Sequence, residues 1–134
     1  MIVLDSSALI AVLDEEDDAV NFAKAIAEAD RPLISAATLV EAGIVMLNRH
    51  GSKGARKLND LIQEAGCQVE SLTSQHAQMA IEAYAVYGKG QNNKAALNYG
   101  DCFSYALAKA TGLPLLFKGD DFSQTDIEPA LSRK

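Results

Sequence analysis

A chain of 134 residues, 49% hydrophobic and 22% charged, has the make-up of one globular domain and is read as a single unit over 1–134. Its net charge of −6 argues against a protein that grips nucleic acid over a broad basic face. That charge leaves room for one that holds phosphates through cations in an acidic pocket. Cys67 and Cys102 form no CxxC or Cys/His metal spacing. The opening MIVLDSSALIAVL has no basic lead and is too short to span a bilayer, so a cytoplasmic protein with no membrane association is expected.

Ile2 to Leu4 is a short apolar run ending at Asp5, as a buried parallel strand would be. Ser6 and Ser7 offer cap chemistry before a helix over 8–13. The acidic run 14–18 reads as a turn, with early acids suiting the positive end of a second helix over 19–28. Asp30-Arg31-Pro32 breaks the chain, and Leu33-Ile34-Ser35 is a second strand. A helix is expected over 38–49, interrupted by Gly51 to Gly54, and a further helix over 55–65. Cys67–Leu72 alternates as a third strand would, and Thr73 or Ser74 can cap a helix over 75–86. Residues 88–94 form the one obvious loop. Gly100-Asp101 opens a last helix over 102–110, and 113–117 is a fourth apolar strand. Strands separated by helices imply parallel pairing with right-handed crossovers, hence an α/β fold: a three-layer α/β/α sandwich around a mainly parallel sheet.

Ligands of such sheets bind at the carboxyl ends of the strands. Asp5 ends the first strand there, and Asp120 and Asp121 follow the fourth after a Lys-Gly turn. Asp101 starts the helix leading into that strand, and Glu41 lies near the start of the helix after the second. Each acid also has a plainer reading. Asp5 and Asp101 are good helix caps, Glu41 fits a T-x-x-E capping box from Thr38, and Gly119–Phe122 is an ordinary turn composition. Against the plainer reading of Glu41, it shares a helical stripe with Ile44, Val45 and Asn48, a poor place for a solvated acid. Jointly placed, the carboxylates are costly unless a cation neutralises them, and all-oxygen ligation selects a hard ion, Mg²⁺ or Mn²⁺. Such ions activate water and stabilise the leaving oxygen of a phosphodiester without a catalytic histidine. Only His50 and His76 are present, both expected on helix surfaces.

The motifs V-L-D-S-S-A-L at 3–9, Glu41 in a helix, N-Y-G-D at 98–101 and L-L-F-K-G-D-D-F at 115–122 resemble the PIN-domain family. More narrowly they resemble the VapC toxins of bacterial toxin–antitoxin pairs, and the likeness runs through essentially the whole chain. The resemblance implies an Mg²⁺-dependent endoribonuclease acting on structured RNA such as tRNA or ribosomal RNA. It implies a cognate VapB-type antitoxin and a homodimer. Carried over residue by residue, Asp5, Glu41 and Asp101 are the core acids. Asp120 or Asp121 is the fourth, with Asp121 favoured as the acid preceding the phenylalanine. Ser7 takes the small-hydroxyl position after the first aspartate.

On this reading Asp5 and Asp101 hold the principal metal, Glu41 and Asp121 (or Asp120) complete the cluster, and the phosphodiester is hydrolysed in line. Lys89 and Lys94 in the 88–94 loop, Arg49 in the basic 49–57 segment, and Lys118 are candidate RNA contacts. That segment also reads plainly as a solvated surface. A receiver-like phosphoacceptor module is the rival from another class, with Lys118 as its lysine. The third strand, running into Leu72 and Thr73, offers no acceptor Asp. A phosphatase is disfavoured because no second Asp stands two residues after Asp5. A catalytically silent PIN scaffold would leave the retained acids unexplained.

Overall fold

The computed structural model of the protein describes residues 1–91 and 94–131; Asn92 and Asn93, inside the expected 88–94 loop, lie outside the described residues. In chain order the elements are β1 (Val3–Leu4), α1 (Ser6–Leu13), α2 (Ala19–Glu28), β2 (Leu33–Ser35), α3 (Ala36–Glu64), β3 (Gln68–Glu70), α4 (Ser74–Tyr87), α5 (Tyr99–Thr111) and β4 (Leu115–Leu116). The four strands form one parallel sheet in the order β3-β2-β1-β4, with Val3 opposite both Leu33 and Leu115. From β1 the chain steps outward to β2 and β3, then returns to β1's other side as β4. The direction of winding therefore reverses at β1, and the crevice at the carboxyl ends of β1 and β4 is where this architecture places ligands.

Alternation along the strands builds the three layers. Val3, Leu33 and Leu115 point to one face and join Ala80, Ala83, Tyr105, Ala106 and Phe122 in a core under α4 and α5. Their neighbours Leu4, Ile34 and Leu116 point to the other, packing with Leu9, Phe22, Ile26, Met46 and Ile62 from α1, α2 and α3. Successive strand side chains lie on opposite faces, and apolar residues at both parities are what a sheet covered on both sides requires. Among the described residues no helix is long and apolar enough to cross a membrane.

The α2 and β2 bounds agree with the sequence reading, whereas α1, α3 and α5 begin two or three residues earlier than read and α4 one residue earlier. α1 begins at Ser6, not Ala8, because Asp5 rather than Ser6 or Ser7 is its N-cap. α3 begins at Ala36 with Ser35 as N-cap, its hydroxyl accepting from the Ala37 amide. Thr38 and Glu41 therefore do not form a capping box: Thr38 is buried inside the helix and Glu41 sits beyond its first turn. α5 begins at Tyr99 with Asn98 as N-cap. The break expected across 51–54 is concentrated at Gly51 (φ 68°, ψ −158°), a backbone setting that only glycine adopts without strain. Gly54 is helical again and packs directly on the Met46 carbonyl. Thr73 caps α4, accepting from the His76 amide at 3.0 Å.

Candidate active site

Asp5 leaves β1 in an extended conformation (φ −90°, ψ 156°), and its Oδ2 accepts the Ser7 amide at 3.1 Å, which caps α1. The same oxygen accepts the Ser7 hydroxyl at 2.6 Å, and Oδ1 accepts the Ser104 hydroxyl at 2.5 Å. Asp5 is 1% exposed. Behind it, Ser7 Oγ accepts the Lys118 amide at 2.9 Å, and the Ser104 and Thr38 hydroxyls lie 3.2 Å apart. One carboxylate is thus held by hydroxyls from α1 and α5, the first steadied by the turn after β4 and the second by α3.

Glu41 reaches the same place from α3. Its Oε1 accepts the Ser6 hydroxyl at 3.1 Å, and its carboxylate lies over the first turn of α5 at Gly100. Any side chain at Gly100 would collide with it: a Cβ built there falls 2.6 Å from the Glu41 carboxyl carbon. The helical stripe invoked in the sequence does not bury Glu41, since Ile44 and Asn48 are exposed and Val45 is half-buried. Its partial burial comes instead from α1 and α5. Asp101 completes a capping box at the head of α5, its amide donating to Asn98 Oδ1 and its Oδ2 accepting the Asn98 amide, both at 3.0 Å. Asp121, half-buried after β4, lies close enough for its charge to act on the Asp101 carboxyl.

The electrostatics follow from this crowding. Burial pushes the Asp5 carboxyl up from its ordinary value, and the Ser104 and Ser7 hydrogen bonds work against that rise. Glu41 is raised by burial and by the charge of Asp5, with Ser6 opposing. Asp101 is pushed up to about 8, first by burial, then by Asp5 and Asp121, against the Asn98 backbone hydrogen bond. Acids from three separated stretches therefore disfavour one another's ionisation, the setting in which a bound cation has most to neutralise. Their donors are all oxygens, which suits a hard divalent ion. The association is pairwise: among the described residues no three Asp, Glu, His or Cys side chains already form a cation-binding group.

The remaining candidates fall outside the cluster. Asp120 is exposed, its carbonyl accepting the Ser123 amide and hydroxyl, so of the two adjacent acids it is Asp121 that meets Asp101. The Lys118 ammonium is paired with Glu16 at 2.5 Å and Asp18 at 3.1 Å. Arg49 is paired with Asp14 at 2.6 Å, beside His50 at 2.8 Å. Lys89 and Lys94 are exposed. Sequence reasoning missed Ser104, Thr38 and Gly100. A hydroxyl three residues after Asp101, in the apolar run of α5, was the available signal for Ser104, because i and i+3 share a helix face.

The PIN domain family matches residues 2–128 of the chain. The chain is 46% identical over 132 residues to ribonuclease VapC28 of Mycobacterium tuberculosis, covering 98% of this chain and 99% of that one. Its fold is similar to the crystal structure of M. tuberculosis VapC20, described as a sarcin–ricin loop cleaving toxin (TM-score 0.78, 18% identity, 95% and 96% of the two chains). It is also similar to a chain of VapBC2 from Rickettsia felis, solved bound to a DNA fragment from its promoter (TM-score 0.73, 14% identity, 96% of each chain).

Proposed function

The chain belongs to the PIN-domain family, among its VapC-type ribonucleases, and from that premise we propose that it is a Mg²⁺-dependent endoribonuclease, the toxin of a cytoplasmic toxin–antitoxin pair. The observation that supports this reading is the pairwise approach of acids at the carboxyl ends of β1 and β4, where the charge of Asp5 acts on Glu41 and on Asp101, and that of Asp121 on Asp101.

Asp5 and Asp101 hold the Mg²⁺ (Mn²⁺ serving in its place), with Glu41 and Asp121 completing the set. When bound, the ion supplies positive charge that activates water and offsets charge developing on the phosphate. Asp5 is kept in one orientation by Ser7 and Ser104. Ser6 and the bare face of Gly100 aim Glu41 into the cluster. Asp121 stands beside Asp101 and its negative charge disfavours the ionised form of Asp101, so a cation has most to offset between these two carboxylates. His50 is engaged with Asp14 and His76 sits in the first turn of α4, so neither serves the site.

The substrate is RNA, with structured tRNA or ribosomal RNA the class the family points to. Exposed Lys89 and Lys94 are its proposed backbone contacts; Arg49 and Lys118, already in ion pairs, are weaker candidates. A VapB-type antitoxin is the proposed inhibitory partner, the similar R. felis protein being a VapBC chain. The proposed homodimer forms on the apolar face beside the acids. There Tyr99 (79% exposed) and Phe103, stacked edge to face, make a ridge between a groove at Ile81 and Tyr84 and another at Val40, Ile44 and Leu72. A ridge flanked by grooves supplies both halves of the self-complementary surface that a two-fold interface needs. The receiver-like reading would need a free Lys118 ammonium, and Glu16 and Asp18 occupy it.

The test is cleavage of total cellular RNA by purified protein with Mg²⁺, with EDTA, and with Asp101→Asn. The expected result is cutting at discrete sites with Mg²⁺, abolished by EDTA and by the substitution. If metal-loaded wild type cuts no RNA class, the chain is a silent scaffold and the proposal falls. Equal cutting by wild type and variant would remove Asp101 from the chemistry.

A further inference from the structure

Asp5 is nearly inaccessible, and a buried carboxylate is tolerated only where its oxygens are hydrogen-bonded. Those hydrogen bonds come from outside its own strand. An ionised carboxylate only accepts, and a serine hydroxyl carries one proton. Ser7 Oγ accepts the Lys118 amide, itself only a donor, so its proton is committed to Asp5 Oδ2. Among the described residues no amide donates to Ser104 Oγ. Its partner is the Thr38 hydroxyl, 3.2 Å away, which can act as donor or acceptor. Ser104 gives its proton to Asp5 Oδ1 when Thr38 gives its own to Ser104. Ser104 and Thr38 are both 0% exposed, so water has no access to substitute for either. The contacts join α5 to β1's end across 99 residues and α3 to α5 across 66.

We propose that Ser104 is a positioning residue of the active site, its hydroxyl fixing the direction of the Asp5 carboxylate and being oriented in turn by Thr38. This rests on the reading of the acids as a metal centre. It adds a relay to that reading, Thr38 to Ser104 to Asp5, acting on the carboxylate oxygen that the Ser7 and Lys118 contacts leave unheld. Such partners behind a metal-binding residue change affinity or activity by about 10- to 100-fold when removed. They do so by holding the ligand ready rather than by touching the ion.

The experiment measures Mn²⁺ binding to EDTA-stripped protein from the free-Mn²⁺ electron paramagnetic resonance signal, for wild type, Asp101→Asn, Ser104→Ala and Thr38→Val. Thermal melts of the metal-free forms accompany it. Ser104→Ala is expected to bind Mn²⁺ about 10- to 100-fold more weakly and to lose kcat on RNA while KM stays near wild type. Thr38→Val keeps the buried shape, removes only the orienting hydroxyl and does not touch Asp5. It is expected to shift the affinity in the same direction, and it carries the test should Ser104→Ala fail to fold. Wild-type Mn²⁺ affinity in folded Ser104→Ala, or in Thr38→Val when that variant carries the test, would overturn the inference while leaving the metal site intact. If wild type itself binds no Mn²⁺, the metal-centre reading falls and takes this inference with it.

Discussion

Substituting Gly100 with alanine separates stability from activity at this site. Gly100 lies in the first turn of α5 with helical neighbours, so its backbone accepts alanine, which favours a helix over glycine by about 0.5–1 kcal/mol. The obstruction is the Glu41 carboxylate, whose carbon would lie 2.6 Å from the new Cβ. Ordinary carbon–carbon contact begins at about 3.5 Å, so Glu41 has to retreat by roughly 1 Å. It is the far end of a flexible side chain held, among the described residues, by the Ser6 hydroxyl, so the retreat costs folding little. Catalysis is less forgiving: a misplacement of about 1 Å costs about 100-fold, or about 2.7 kcal/mol on the barrier. The variant is therefore expected to melt at or slightly above the wild-type temperature and to cleave RNA about 100-fold more slowly. Initial rates on a defined RNA and a thermal melt are the assays. Unchanged cleavage would show that Glu41 does not act from the place it occupies over α5. A large loss of stability would show that the contact is structural.

Two further outcomes follow from the surface. The Asp14 carboxyl is held below its usual range by the His50 hydrogen bond and, after it, by Arg49. A lowered folded value means that the stabilisation is present above the ordinary carboxylate range, near pH 4, and is lost as pH falls through the folded value. The melting difference between wild type and Asp14→Asn should therefore be clear at pH 6 and shrink below pH 4; a difference that holds constant with pH would rule out the ion pair as its source. Ile81 is 65% exposed on α4; if wild type sediments as the proposed dimer, Ile81→Glu should fold normally and sediment as a monomer at the same concentration, and a monomeric wild type would refute the dimer. Sedimentation of both proteins as dimers would move the proposed interface elsewhere.

The layers were legible because they rest on a repeating signal. Paired apolar residues at both parities in β1, β2 and β4 announce a sheet covered on both faces, and the elements around it were found to within a few residues. Helix starts were less legible because several neighbours can cap and only geometry chooses. Asp5, Ser6 and Ser7 are all competent caps, as are Ser35 and Thr38, and in both cases the residue that ends the strand takes the role. The acids could be placed at one edge from topology alone. What brings them into contact could not: Gly100 matters through a side chain 59 positions earlier, and Ser104 through one 99 positions earlier. Neither pairing leaves a local trace in the chain. The Glu41 stripe misled because apolar spacing along a helix does not by itself say which face is covered: Ile44 is 52% exposed and Val40 60%.

The capping and catalytic readings of Asp5 and Asp101 are not alternatives. Asp5 Oδ2 caps α1 while both its oxygens sit in the hydroxyl network, and Asp101 closes the box at α5 while facing Asp121. Two helices thus begin at the cluster, and their positive ends offset part of the carboxylate charge that burial makes costly. A strand-end aspartate that must cap a helix is fixed in position by the fold itself, which is what a metal-binding group needs. The coincidence also dictates the choice of substitution. Alanine at position 5 or 101 would remove a cap and a charge together, and lost activity would then have two explanations. Asparagine keeps a side-chain oxygen that can accept the same backbone amide, Ser7's at position 5 or Asn98's at position 101, but carries no charge. If Asp101→Asn folds like wild type and does not cut, the loss belongs to the charge, and the helix cap is excluded as its cause.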